Sequence, residues 1–75
     1  MSSKVYVWVR TTAYNGGSVG EIHVHVPVPY QELDSAIQYV GDRIKRNLPI
    51  ETTRSERYLF NPDHVVSIGA RKGYN

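Results

Sequence analysis

The sequence predicts an α+β fold in two layers: a four-stranded antiparallel sheet with one helix packed on one face, in the order ββαββ. Apolar and polar residues alternate on both sides of Asn15-Gly16-Gly17, apolar residues recur at helical spacing after residue 30, and two short apolar runs flank Asn61-Pro62. With 75 residues, the chain is expected to form a single domain with a thin core.

The first element is a hairpin over residues 3–29. Asn-Gly tolerates the positive φ angles of tight hairpin turns, and a four-residue loop would shift the partners by two positions without changing the faces. With Asn15 and Gly16 at the turn, one face carries the aliphatic pairs Val9 with Ile22, Val7 with Val24, and Val5 with Val26. The other face carries the pairs Arg10 with Glu21, Trp8 with His23, and Tyr6 with His25.

A helix is predicted over residues 30–48. Pro27 and Pro29 end the second strand, since proline cannot donate to a ladder. Acidic residues then occur near the start of the apolar-periodic stretch and basic residues near its end, which complements the helix dipole. Leu48-Pro49 ends the helix, because the residue before proline is pushed out of the α region. The apolar stripe consists of Leu33, Ala36, Ile37, Val40, Ile44 and Leu48.

The last third of the chain is predicted to contain a second hairpin over residues 56–71. Residues 57–60 and 65–70 have strand character, and Asn61-Pro62-Asp63-His64 between them is typical of a turn. Residues 72–75 are expected to form a frayed tail. The polar, β-branched stretch 50–56 fits a loop, an edge strand or a partly mobile segment.

If the helix covers the valine face, the opposite face of the sheet has no cover in this fold. Contiguous apolar patches usually mark an interface, so we expect a homodimer that buries this face, or another protein bound to it. The predicted partner-binding residues are Tyr6, Trp8, Arg10, His23 and His25.

Charge divides the chain unevenly. Residues 1–42 contain two bases and four acids, whereas residues 43–75 contain seven bases and three acids. Such asymmetry attracts phosphate or acidic surfaces, and it is also ordinary solubilising charge. Possible nucleic-acid contacts are Arg54, Arg57, Tyr58, Arg71 and Lys72. No apolar run has the length of a signal sequence or membrane span, and there is no cysteine, so we expect a soluble, cytoplasmic protein without disulfides.

No enzymatic activity, metal or cofactor is predicted. His23 and His25 point the same way on one strand, but a metal site needs a third ligand, and exposed strand histidines commonly have no ligand role. The stretch from Glu21 to Pro27 resembles a shortened form of the alternating motif of histidine triad nucleotide hydrolases. It has Glu21 or Pro27 where that family has a third histidine, and the serines have no nucleophile-elbow context.

A second partial resemblance covers about a fifth of the chain. The stretch from Arg54 to Ile68 is similar to a segment of LytTR-type DNA-binding domains, in which a polar strand enters a turn at an asparagine, here Asn61. The rest of the chain does not look like that all-β fold, and we assign the chain to neither family.

Three functions remain open. The first is a non-enzymatic protein-interaction module, a regulator, inhibitor or adaptor, that dimerises through the aromatic and histidine residues of the sheet. The second is a domain that binds single-stranded nucleic acid. The third is a structural subunit that extends a sheet through its edge strands, a style of protein that would fit a phage product.

Overall fold

The computed structural model describes residues 3–12 and 19–74, with side chains for 4–12 and 20–73. It confirms an α+β fold with one helix and antiparallel sheets. Among the described residues, no helix is long and apolar enough to cross a membrane. The strands are β1 (Ser3–Thr12), β2 (Val19–Val24), β3 (Ile50–Glu51), β4 (Arg57–Tyr58) and β5 (Val65–Tyr74); the helix α1 is Leu33–Lys45, and single 3₁₀ turns occupy Val28–Tyr30 and Pro62–His64.

The first hairpin has the predicted register. Val9 lies opposite Ile22 and Trp8 opposite His23, while the predicted turn at residues 15–17 lies outside the described residues. The ladder ends at the pair Val7–Val24, so the predicted Val5–Val26 and Tyr6–His25 pairs lie beyond it. There the Gln31 side chain bridges the two segments. Its Oε1 accepts from the Val5 N–H at 3.0 Å, and its Nε2 donates to the Val26 carbonyl at 2.5 Å.

The predicted second hairpin is wrong, because its two strands have different partners. β5 pairs with β1, which gives a three-stranded sheet in the order β2-β1-β5, whereas β4 pairs with β3 in a separate two-stranded sheet. The pairing with β1 sets Ile68 opposite Val9 and Ala70 opposite Val7, so apolar residues of both strands share one face. A single four-stranded sheet is therefore not observed.

The predicted tail at residues 72–75 is wrong over residues 72–74, and Asn75 lies outside the described residues. β5 runs to Tyr74, with Lys72 opposite Val5 and Gly73 opposite Lys4. The sequence contains no strand signal here, because charged residues and glycine break the apolar alternation. The strand continues because β1 begins at Ser3 and its backbone can pair with the end of β5.

The stretch 50–56, for which the sequence left three conformations open, packs against the C-terminal end of β2 at its outer edge. The His25 N–H donates to the Glu51 carbonyl at 2.8 Å, and the Thr53 N–H donates to the His23 carbonyl at 3.1 Å. Thr52 is buried between them, and its hydroxyl accepts from the backbone N–H groups of Arg54 and Glu56, both at 3.3 Å. This internal capping holds the turn that leads into β4.

The core lies between one face of the three-stranded sheet and α1. β-branched residues on alternate strand positions and small or branched residues at helical spacing fill it, as the two periodicities require. Its buried members are Val5, Val7, Val9, Val24, Val26, Ala36, Val40, Ile44, Ile50 and Phe60.

α1 is shorter than the predicted helix at both ends. The chain first makes the 3₁₀ turn at Val28–Tyr30, and α1 begins only at Leu33. At the other end Asn47 has φ 56°, and the Leu48 N–H donates to the Arg43 carbonyl at 2.8 Å, as in a Schellman cap. The Arg43 guanidinium donates to the Pro49 carbonyl at 2.8 and 3.0 Å, which fixes the exit of the chain.

Candidate interaction face

The face of the three-stranded sheet opposite α1 carries large aromatic and charged side chains. Alternation along β1 and its register with β2 and β5 decide which residues lie there. We call this surface the aromatic face; it consists of Lys4, Tyr6, Trp8 and Arg10 of β1, Glu21 and His23 of β2, and Ser67, Gly69, Arg71 and Gly73 of β5.

The Trp8 ring packs closely over β5 because its cross-strand neighbour there is a glycine. Gly69 is the direct cross-strand partner of Trp8, and a Cβ at Gly69 would lie only 2.4–2.6 Å from three atoms of the indole. No L side chain fits there unless the ring moves. The ring is thereby half-buried against its own sheet, with its outer surface facing away from the core.

Tyr6, two residues before Trp8 on the same face of β1, also packs over a glycine of β5. A Cβ at Gly73 would lie 2.4 Å from the ring of Tyr6. The Arg71 guanidinium lies 4.9 Å from the ring centroid and the Lys4 ammonium 5.8 Å from it, both within cation–π range. The aromatic face thus combines planar rings with fixed positive charge at this end.

The β2 side of the aromatic face is more polar. His23 Nε2 and Glu21 Oε2 are 3.2 Å apart, and the rings of His23 and Trp8 have centroids 6.1 Å apart. His25 lies past the end of β2, yet it lines one shallow pocket together with Tyr6 and His23. Hence the five residues predicted to bind a partner lie on the aromatic face or at its border. In the described part of the chain, no three His, Asp or Glu side chains could hold a metal ion together.

Two open clefts lie beyond β2, where the 50–58 hairpin meets it. The larger, of about 430 Å³, places Glu21 and His23 near Arg54 and Tyr58. The smaller, of about 260 Å³, places His25 near Tyr39, Arg43 and Arg57. Acidic and basic groups are mixed in both clefts.

The residues predicted as nucleic-acid contacts do not form one surface. Arg54 and Tyr58 line the larger cleft, Arg57 lines the smaller one, and Arg71 lies on the aromatic face. Lys72 points to the helix side of the sheet, where its Nζ lies 3.3 Å from Glu32 Oε2. Of the predicted set, only Arg71 lies on the aromatic face, where the other cations are Lys4 and Arg10.

Sequence reasoning missed the two glycines of β5 over which the aromatic rings pack, Gly69 under Trp8 and Gly73 under Tyr6, which we call the glycine seats. Gly69 and Gly73 have the same parity on β5, which is the visible signal, but it becomes informative only once β5 is known to pair with β1. Glycine inside a strand often marks a close approach of another group, and here that group is an aromatic ring of the neighbouring strand.

Comparison with known protein families, curated proteins and solved structures gave no match. Functional inference therefore depends on the residues themselves.

Proposed function

We propose that the protein is a small, non-enzymatic protein-interaction module, a regulator, inhibitor or adaptor, that self-associates through the aromatic face. The observation that carries the proposal is the unequal covering of the sheet. α1 packs on the valine side, whereas no described element covers Tyr6 and Trp8 on the other side. We also propose that the protein is located in the cytoplasm.

The composition of the aromatic face supports an interface. Tyr, Trp and Arg are the residues that contribute most binding energy at protein interfaces, and Tyr6, Trp8 and Arg10 follow each other on one side of β1. Both rings pack against the backbone of β5 at the glycine seats, so each already has a packed position before a partner binds, which lowers the ordering cost of binding.

Charge on this face supports a second copy as partner. Arg10 and Glu21 lie opposite each other on β1 and β2 and are both exposed. A twofold interface presents the same surface from both sides, so each copy supplies both signs and an arginine can meet a glutamate across it.

The test is the molar mass in solution, measured by light scattering at low and high salt, for the wild type and Trp8→Ala. An apolar interface should hold or tighten as salt rises. Trp8→Ala should weaken association by about 2 kcal/mol or more, as at an interface hot spot. Tyr30→Ala is the matched control, because Tyr30 is exposed but stacks on Tyr39 of α1, with ring centroids 4.7 Å apart.

Two results would contradict the proposal. One is a wild type that stays monomeric at every concentration. The other is a Trp8→Ala variant that unfolds as a monomer, since Trp8 would then be needed for folding rather than for association. Denaturation at low concentration separates the two roles.

Single-stranded nucleic acid is the second candidate function, favoured by the cations beside Tyr6. Aromatic rings on the face of a sheet are suited to base stacking, and Lys4 and Arg71 beside Tyr6 could contact phosphates. A fluorescent single-stranded oligonucleotide should then bind at low salt and dissociate steeply as salt rises. Absence of binding at low salt would eliminate this candidate.

A further inference from the structure

The two edges of the three-stranded sheet differ. The edge of β2 is covered at its C-terminal end by the 50–58 hairpin, through backbone hydrogen bonds at His23 and His25. At the other edge lies β5, ten residues long, whose outer side has no strand partner in the described structure. Its outward backbone groups can be matched by another strand. We infer that the outer edge of β5 pairs antiparallel with β5 of a second copy, which joins the two sheets into one.

A second copy fits this edge without reversing either face. A twofold axis perpendicular to the sheet makes the two β5 strands antiparallel and keeps both α1 helices on the same side. Residues opposite each other must then share a face, so the axis passes through a position where a residue meets its own copy. The two aromatic faces become one continuous surface. This pairing does not depend on whether that surface is itself covered.

The inferred axis passes through Gly69, a register that sets apolar residues opposite apolar ones and keeps like charges apart. Ile68 then lies opposite Ala70 of the second copy, and the same contact occurs twice. Arg71 lies opposite Ser67 of the second copy, also twice. The two copies of Arg71 are separated by about 13 Å along the strands, beyond the screening length at physiological salt. An axis at Arg71 itself would place like charges opposite each other.

The burial of β5 agrees with a missing neighbour. On the core side of the sheet, the β1 residues Val7 and Val9 are fully buried, whereas Ile68 and Ala70, their partners on β5, are only partly buried. The difference arises because β1 has strands on both sides and β5 has one. A second β5 would cover the exposed side of Ile68 and Ala70 with the same two residues.

A charge-swap series tests this register. Ser67→Lys places two like-charged pairs across the seam, and we expect it to weaken the dimer about fivefold to tenfold. Adding Arg71→Glu should restore binding, since each new lysine then meets a glutamate of the second copy. Within one chain, a lysine at position 67 also lies opposite Arg10 of β1, so the seam is tested by comparing Ser67→Lys with the double variant, which share that pair. Arg71→Glu alone is the control for the lost contact with Tyr6.

Sedimentation velocity gives the dissociation constants, and hydrogen exchange of β5 amides below and above that concentration locates the contact. We expect the outward amides of β5 to gain protection only in the dimer. The inference is overturned if those amides exchange freely at every concentration, or if the double variant binds no better than Ser67→Lys.

The outcomes separate this inference from the proposed function. A dimer that Trp8→Ala disrupts, with β5 amides still exchanging freely, supports the aromatic face as the interface and rejects the β5 seam. A dimer with protected β5 amides, and a mass that Trp8→Ala leaves unchanged, supports the seam and rejects self-association through the aromatic face.

Discussion

The two faces of the same three-stranded sheet are built differently. On the core face, valines of β1 are buried under α1, and their burial is completed by the chain itself. On the aromatic face, large rings lie over glycines of β5, and no described element covers them. The comparison shows that the chain can order a surface without burying it. On the core face, side chains are packed between the sheet and α1. On the aromatic face, the rings pack against the backbone of β5 at two glycines.

The largest effect should follow from a charge on the core face. Val9 is fully buried in the centre of β1, so Val9→Asp places an unpaired carboxylate where no water or partner can reach it. We expect a loss of more than about 4 kcal/mol in the free energy of unfolding, enough to unfold a domain of this size. Circular dichroism with urea denaturation measures it.

Thr12→Asp is the matched control on the same strand. Thr12 is exposed, and we expect a change within about 0.5 kcal/mol. A folded Val9→Asp with near-native stability would mean that the core face is not the one that holds the sheet together.

A methyl group added to the aromatic face should have an intermediate effect. Gly69→Ala adds a Cβ that would clash with the indole of Trp8, so the indole or the strands must move. We expect a loss of about 1–3 kcal/mol in unfolding free energy, as for overpacking, together with a change in tryptophan fluorescence.

The same substitution in α1 should have the opposite sign. A Cβ at Gly41 would lie 3.6 Å from Ile68 Cδ1, which is ordinary contact, and alanine favours the helix by about 0.8–1 kcal/mol. If Gly69→Ala were as stabilising as Gly41→Ala, the ring would not depend on the glycine seat.

The local patterns of the sequence were sufficient to predict the first hairpin. Alternation fixes which residues share a face, and the turn residues fix the register, so Trp8 was correctly placed opposite His23. The helix also followed from its apolar stripe, apart from the 3₁₀ turn at Val28–Tyr30 that delays its start. Both predictions depend on contacts between residues close in the chain.

Long-range pairing was not predictable in this way. Residues 57–60 and 65–70 look like a hairpin because only a short turn separates them. Instead β5 pairs with the distant β1, and β4 pairs with β3 on its other side in the chain. The sequence carries no local signal for the choice of β1 as partner of β5. For the same reason the glycine seats and the strand at residues 72–74 were missed. The β1 and β2 residues of the aromatic face were predicted, but the β5 residues that complete it were not.

Two neighbouring cations provide the smallest and most selective comparison. Arg71 and Lys72 are adjacent on β5 but belong to opposite faces: Arg71 lies over the Tyr6 ring, and Lys72 pairs with Glu32. The Lys72–Glu32 pair is largely exposed, so Lys72→Ala should change the free energy of unfolding by less than about 0.5 kcal/mol. Arg71→Ala removes one exposed cation–π contact and should change it by about 0.5–1 kcal/mol.

Association should separate the two variants more clearly than stability does. Arg71→Ala should alter the dissociation constant of a dimer, or of a complex with an oligonucleotide, because the guanidinium lies on the surface that a partner meets. Lys72→Ala should leave both constants unchanged, since its ammonium points to the helix side. Light scattering and oligonucleotide titration at two salt concentrations measure the difference. If Arg71→Ala and Lys72→Ala changed the dissociation constants equally, binding would respond to the total charge of β5 and not to the aromatic face.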